Sequence, residues 1–101
     1  MRFLLKVTMP VAKGNARIKD GSLPKAIKGI LDDLKPEAVY FTEEDGMRAA
    51  LLVVEVAGPS DIPKIAEPFF LNFDAECRLR IVMSPAELKN SGLDALGKKW
   101  G

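Results

Sequence analysis

The stretch E-A-V-Y-F-T-E-E-D-G-M-R-A-A-L-L-V-V-E-V, residues 37–56, decides the fold. Its β-branched and aromatic residues favour extended backbone on both sides of an acidic turn that ends at Gly46, so the stretch predicts a hairpin. The two strands of this hairpin span Glu37–Thr42 and Met47–Val56. The second strand is apolar on both faces until Glu55, which is typical of a central strand that is covered on each side.

The residues before the hairpin predict one strand and one helix. Residues Arg2–Met9 alternate with the period of a strand. Glycine, proline and asparagine in residues 10–21 predict a long connection that can include one helical turn. Ser22 is then predicted to cap a helix over residues 23–35, because the leucines and isoleucines of that segment fall on one stripe.

The residues after the hairpin predict a second helix and a fourth strand. Ser60 is expected to cap a helix with a continuous apolar stripe, and Pro68 is expected to kink or end that helix because it lacks a backbone N–H. A strand over Ala75–Met83 follows, since its residues again alternate. The hairpin therefore lies between two helices, each of which joins it to a further strand.

The end of the chain predicts an additional helix. The run S-P-A-E at residues 84–87 has the spacing of a capping box with proline at the first helical position. Gly92 is expected to divide this helix. Leu93, Leu96 and Trp100 are then expected to anchor its second piece.

The order β-α-β-β-α-β with an extra C-terminal helix predicts an α+β, ferredoxin-like fold in a single domain, residues 1–101. Its four-stranded antiparallel sheet would have the order 4-1-3-2, with helices on one face only. The uncovered face, here called the open face, is expected to be apolar and to need a partner. Its expected residues are Leu4, Tyr40, Ala50, Leu52, Val54 and Val82. The residues expected to face the helices are Phe3, Val39, Leu51 and Leu79.

The element order, and the run V-M-S-P-A-E at residues 82–87 where the last strand passes into a capped helix, resemble the dimeric α/β-barrel superfamily. Within that superfamily the chain looks most similar to an uncharacterised bacterial branch. The superfamily includes muconolactone-isomerase-like enzymes, small cofactor-free monooxygenases and haem-handling proteins. In these proteins two ferredoxin-like protomers close their sheets face to face. The resemblance is architectural and carries over no catalytic motif. It implies a homodimer through the open sheet face and a cavity between the two sheets.

The fourth strand places two arginines on the open face. In residues 75–83 the alternation sets Arg78 and Arg80 on the side away from the core, and Lys6 and Tyr40 are expected on the same side. Guanidinium groups bind planar oxyanions through two hydrogen bonds, and a phenol can orient such a ligand. These four residues therefore form the predicted binding cluster for a small anionic or aromatic molecule. Three further cations of the first long connection are expected at the mouth of the cavity: Lys13, Arg17 and Lys19.

A structural role competes with ligand binding at this cluster. Its three cations could instead pair with Glu37, Glu55 or Glu76, across strands or across the dimer seam, which would contribute about 0.2–1 kcal/mol per exposed pair. The sequence favours the glutamates over a ligand.

Composition excludes several other functions. Lysine plus arginine (15) nearly balances aspartate plus glutamate (14), so neither nucleic acid nor an acidic membrane is an expected partner. The absence of histidine excludes Ser-His-Asp triads, zinc sites of common composition and histidine-ligated haem. The only cysteine, Cys77, is expected to be a small buried hydrophobe in a reducing compartment. The acidic turn at residues 43–45 is expected to be a solvated tip, and no metal, cofactor or membrane is expected. The predicted location is the cytoplasm.

Two functions therefore stay open. The favoured one is a noncatalytic dimeric module that binds a small anionic or aromatic molecule in the barrel, or that merely supports assembly. The alternative is a cofactor-independent isomerase or monooxygenase, with Tyr40 and either Lys6 or Arg80 transferring a proton or stabilising an oxyanion. The sequence assigns no catalytic residue and does not decide whether the chain is an enzyme.

Overall fold

The computed structural model describes residues 1–101 as an α+β fold, a four-stranded antiparallel sheet with five helices. The strands and the predicted helices begin and end within two residues of their expected positions, apart from the C-terminal segment. The elements are β1 (Arg2–Met9), α1 (Val11–Lys19), α2 (Ser22–Leu34), β2 (Ala38–Glu44), β3 (Met47–Glu55), α3 (Asp61–Phe73), β4 (Glu76–Ile81), α4 (Pro85–Lys89) and α5 (Leu93–Trp100).

The sheet has the order β2-β3-β1-β4, and every neighbouring pair is antiparallel. The predicted strand order is therefore confirmed. Within one chain the sheet is open and does not close into a barrel. The hairpin between β2 and β3 turns at Asp45 and Gly46, whose φ values of 52° and 80° are both in the left-handed region that a two-residue turn of this hand requires.

The core lies on the face of the sheet that the helices cover, here called the helix face. Leu5, Leu52 and Phe73 are almost completely buried there. The strand register pairs Leu5 with Leu52 and Phe3 with Val54, so these residues share one face. The prediction for β3 was therefore wrong by one residue. The helix face carries Ala50, Leu52 and Val54, while the open face carries Ala49, Leu51 and Val53.

Residues 10–21 were predicted as a connection, but most of them form the helix α1. Gly14 is buried in this helix, and a methyl group placed on its Cα would lie 3.0 Å from the Met9 sulfur and 2.6 Å from Arg48 Nη1. The glycine therefore allows α1 to approach the ends of β1 and β3 closely. In the sequence, the same glycine was interpreted as a loop signal.

Neither of the two predicted serine caps forms a capping hydrogen bond. Ser22 is the first residue of α2 rather than its cap, and its backbone N–H donates to Asp20 Oδ1 at 2.9 Å. Ser60 occupies the predicted cap position of α3, but Asp61 Oδ2 rather than the Ser60 hydroxyl accepts a backbone hydrogen bond there, from the Ala57 N–H at 3.1 Å. Pro68 does not end α3, which continues to Phe73.

The C-terminal arm, residues 85–101, begins as predicted. Ser84 and Glu87 form a reciprocal capping box, and Gly92, at φ 83°, separates α4 from α5. The predicted anchoring of α5 is wrong, because no residue of α4 or α5 is buried. No helix of the chain has both the length and the apolar character needed to cross a membrane.

Candidate functional site

The four predicted site residues all lie on the open face. Lys6 on β1 lies directly opposite Arg78 on β4 and opposite Leu51 on β3, and Leu51 lies opposite Tyr40 on β2. One row across the sheet therefore reads Tyr40, Leu51, Lys6, Arg78. Arg80 belongs to the adjacent row.

The two arginines of β4 are exposed and have no carboxylate partner within the chain. They occupy alternate positions, with Cys77 and Leu79 turned to the helix face. The phase predicted for this strand is therefore correct. Because β4 is an edge strand, both guanidinium groups lie at one margin of the open face and remain able to bind an anion.

Lys6 has a partner that the sequence did not predict. Its Nζ lies 2.8 Å from Glu44 Oε1, at the end of β2. The hydrogen bond and charge of Lys6, with a smaller effect of Arg78, lower the pKa of the Glu44 carboxyl below its ordinary value. Glu44 therefore stays ionised near neutral pH, and the Lys6 charge is balanced within the chain.

The glutamates expected to neutralise the cluster have other positions. Glu37 pairs with Arg2 at 3.1 Å, and Glu55 pairs with the N-terminal amine at 2.7 Å. Glu76 is on the open face opposite Thr8 and forms no ion pair. None of the three forms an ion pair with the cations of the cluster within the chain.

Tyr40 lies far from the arginines although it shares their face. Its side chain is 67% exposed. Neighbouring strands are about 4.8 Å apart, so β2 lies about 14 Å from β4. The phenol and Arg78 therefore lie at opposite edges of the open face, with Leu51 and Lys6 between them in the same row.

The surface between Tyr40 and the arginines is apolar. Leu4, Leu51 and Val53 are half-buried there, at the centre of the open face, and no helix of the chain covers them. An uncovered apolar strip flanked by cations on one side and a phenol on the other suits a ligand or partner that is both apolar and anionic.

The cations of residues 10–21 lie on the wrong side of the sheet for the predicted role. Arg17 donates from Nε to the Asn72 carbonyl at 3.0 Å and from Nη1 to Ser22 Oγ at 3.2 Å, and its guanidinium lies 5.1 Å from the centre of the Phe73 ring. It therefore holds α1, α2 and α3 together. Lys13, which pairs with Asp74 at 3.7 Å, and Lys19 belong to the same helix.

Cys77 and the acidic turn offer no reactive centre. The Cys77 thiol is half-buried with its Sγ 3.9 Å from the Ala66 carbonyl oxygen. Burial, with a smaller effect of Glu67, raises the pKa of this thiol to about 11, so it stays protonated and is a poor nucleophile near neutral pH. The carboxylates of residues 43–45 do not gather with other acidic or cysteine side chains into a group that could hold a metal ion.

A groove on the helix face was not predicted. It has a volume of about 190 Å³ and lies between α2 and the β2-β3 hairpin, with twelve hydrophobic residues among the fourteen that line it. Phe41, the neighbour of Tyr40 in sequence, contributes to its edge and is 62% exposed. The adjacent aromatic residues of β2 were a usable signal, because alternation sends them to opposite faces and at least one of them to the helix side.

No protein-family model matches the sequence, and no curated protein matches it. Among solved structures, the de novo designed protein Ferredog-Diesel is similar to this chain, with a TM-score of 0.46 and 10% sequence identity over 80% of this chain and 85% of that chain. The function of the chain must therefore be inferred from its own residues.

Proposed function

We propose that the chain is a noncatalytic homodimeric module of ferredoxin-like fold, assembled like a dimeric α/β barrel, that binds a small molecule with anionic and aromatic character between two open faces. The observation that carries the proposal is the pair Arg78 and Arg80, exposed on the open face without a carboxylate partner in the chain. Unpaired guanidinium groups beside an apolar strip favour a ligand that supplies both a negative charge and apolar surface.

A second copy would complete the cluster. If two open faces meet across a two-fold axis that runs along the strands, β4 of one copy lies opposite β2 of the other. Tyr40 of the second copy would then approach Arg78 of the first, although the two residues are about 14 Å apart within one chain. The half-buried leucines of the strip would be covered in the same contact, which supplies the favourable free energy of association.

The geometry supports binding better than proton transfer. Lys6 is held by Glu44, whose lowered pKa keeps the carboxylate ionised and unable to act as a general acid near neutral pH. The isomerase or monooxygenase alternative therefore loses Lys6 as a free proton-transfer group. We accordingly assign Arg78 and Arg80 to ligand binding, with Tyr40 contributing from the second copy. Lys6, whose charge Glu44 balances, lies beside Arg78 in the same row.

Benzoate is a suitable probe, because it combines a carboxylate with an aromatic ring. We expect benzoate to raise the melting temperature of the wild type in a thermal-shift assay, since a ligand that binds only the folded state stabilises it. The variants Arg78→Leu and Arg80→Leu should fold normally and lose this protection. Lys25→Leu is the matched control, because Lys25 is exposed on α2 and has no ion-pair partner.

Equal protection of Arg80→Leu and the wild type by benzoate would reject Arg80 as a ligand residue. A parallel titration with inorganic phosphate separates the two parts of the proposed recognition. If benzoate protects the protein and phosphate does not, the aromatic ring of the ligand contributes to binding. If both protect it equally, the site recognises only the negative charge.

A further inference from the structure

The last helix of the C-terminal arm, α5, has an apolar side that is not buried in its own chain. Leu93, Leu96 and Trp100 of α5 follow the i, i+3, i+7 spacing of residues on one helix face, and their side chains are 53%, 45% and 76% exposed. The Trp100 ring has the Lys99 ammonium 5.1 Å from its centre. An amphipathic helix with its apolar face in water gains stability when that face is buried in a groove.

The shape of the chain places the arm away from the body. The longest extent of the molecule is 59 Å, whereas the longest strand, β3, measures about 30 Å at about 3.3 Å per residue. The radius of gyration is 17.0 Å, compared with about 13 Å for a compact domain of this size. The start of the arm lies near the beginning of β1, because the Val82 N–H donates to the Arg2 carbonyl oxygen at 3.1 Å. Hydrogen bonds with Ser84, and to a smaller extent the charges of Arg2 and the N-terminal amine, lower the pKa of the Glu87 carboxyl.

The groove on the helix face is at the opposite end and edge of the sheet. Val7 and Met9, at the end of β1, and Phe41 of the edge strand β2 line it. The arm instead leaves from β4, the other edge strand, beside the start of β1. Because the arm and the groove diverge in this way, a second copy is better placed than the same chain to bring them together.

One carboxylate near the groove has no cation partner in the chain. Glu43 lies two residues beyond Phe41 on the same face of β2, next to the groove residue Thr42, and its Oε2 accepts only from the Gly46 N–H at 3.1 Å. Arg48, the one charged residue that lines the groove, turns to Asn15 Oδ1 at 3.0 Å and forms no ion pair with Glu43. Lys98 and Lys99, in the last turn of α5 beside Trp100, are cations that Glu43 could accept.

We propose that α5 of one copy docks in the groove between α2 and β2 of a second copy, with Trp100 against Phe41 and the lysines of α5 beside Glu43. Trp is the residue type that most often supplies the dominant contact in such interfaces, because its large ring buries much apolar area. This contact is separate from the meeting of the open faces, and it holds whether or not those faces also bind a small molecule.

Trp100 is the only tryptophan of the chain, so the tryptophan emission reports the surroundings of α5 alone. We expect the emission of the full chain to be shifted to the blue at high micromolar concentration and to return to the emission of a solvent-exposed indole on dilution. Phe41→Ser should abolish the blue shift. Leu71→Ser is the matched control, because it removes an exposed apolar residue from α3 that lines neither the groove nor the open face.

A charge reversal provides a second variant that leaves the groove lining intact. Glu43→Lys should weaken the concentration-dependent shift by more than tenfold in midpoint concentration, and combining it with Lys98→Glu and Lys99→Glu should restore most of the loss. If Glu43→Lys weakens the association and the two lysine reversals do not restore it, the lysines of α5 do not pair with Glu43.

Three fluorescence outcomes would overturn the docking itself. A blue-shifted emission that does not change on dilution would mean that the arm folds onto its own chain. An emission typical of a solvent-exposed indole at every concentration would mean that α5 does not dock on a second copy. Loss of the shift in Tyr40→Ser but not in Phe41→Ser would place the arm on the open face. Failure of the proposed ligand site has a different signature, because benzoate protection would be absent while the shift of Trp100 persisted.

Discussion

The two faces of the sheet differ most clearly at neighbouring residues of the same strand. Leu52 is 1% exposed on the helix face, packed among the largest core side chains, whereas Leu51 is half-buried on the open face with no helix above it. Both are leucines of the central strand β3 and differ only in the phase of the alternation. The comparison teaches that the apolar character of a strand does not by itself reveal which face forms the core of the chain and which face is left for a partner.

The largest expected effect comes from truncating these two leucines. Leu52→Ala should lower the free energy of unfolding by about 3 kcal/mol, because it leaves a cavity in a packed core. Leu51→Ala should cost about 1 kcal/mol or less in dilute solution, since its side chain is already partly in water. Urea denaturation followed by circular dichroism measures both values.

Concentration sharpens this comparison. The cost of Leu51→Ala should grow as protein concentration rises, because association stabilises the wild type by mass action, while the cost of Leu52→Ala should vary little. Equal costs for the two variants, independent of concentration, would refute the distinction between the faces.

The arginines of the two faces provide a smaller contrast. Arg17 bonds to Asn72 and Ser22 and covers Phe73, so Arg17→Met should lower the free energy of unfolding by about 2 kcal/mol through lost hydrogen bonds. Arg78→Met should change it by no more than about 0.5 kcal/mol, because Arg78 has no partner in the chain.

Chemical denaturation of the two variants in parallel tests this contrast. Arg17→Lys serves as the control, because it keeps the charge but loses the planar fork of donors, and it should recover only a minor part of the loss. A cost at Arg78 equal to that at Arg17 would mean that the open-face cation is structural.

The smallest expected effect is the pH dependence of the Lys6–Glu44 pair. Because the pKa of Glu44 in the folded state lies below its ordinary value of 4.5, the pair contributes stability above that value and loses it as the pH falls through the folded-state pKa. Lys6→Met should therefore be less stable than the wild type near neutral pH, and the gap should close at acid pH.

Thermal unfolding from neutral to acid pH measures that gap. The control Lys25→Met removes an exposed lysine without a partner, and its difference from the wild type should stay nearly constant over the same range. If the stability difference between Lys6→Met and the wild type were equally independent of pH, the ion pair with Glu44 would not stabilise the fold.

Strand order could be predicted from the sequence because the hairpin and the helices on either side of it restrict the topology strongly. The phases of β1 and β4 were also correct, since polar residues alternate with apolar ones in both strands. The phase of β3 could not be obtained in this way. Its run A-A-L-L-V-V, residues 49–54, is apolar at every position, so only the pairing with β1 fixes which residues face the helices.

The other incorrect predictions, for α1 and for the partner of Lys6, failed because contacts between distant parts of the chain decide both. Gly14 lowers helix propensity locally, yet its lack of a side chain lets α1 pack close to Met9 and Arg48. The partner of Lys6 was missed for a similar reason, because Glu44 reaches it from a strand that is not its immediate neighbour. The four candidate site residues share a face as expected and lie on three strands, but only the register shows which of them occupy the same row.

The most direct test of the central claim, that the open face is a contact surface for a second copy, is the mass of the wild type by sedimentation equilibrium at micromolar concentration. We predict about twice the chain mass of 11.0 kDa, with Leu51→Lys shifted toward the single chain because it places a charge at the centre of the contact. A wild type that remains at the mass of one chain across this range would contradict the account.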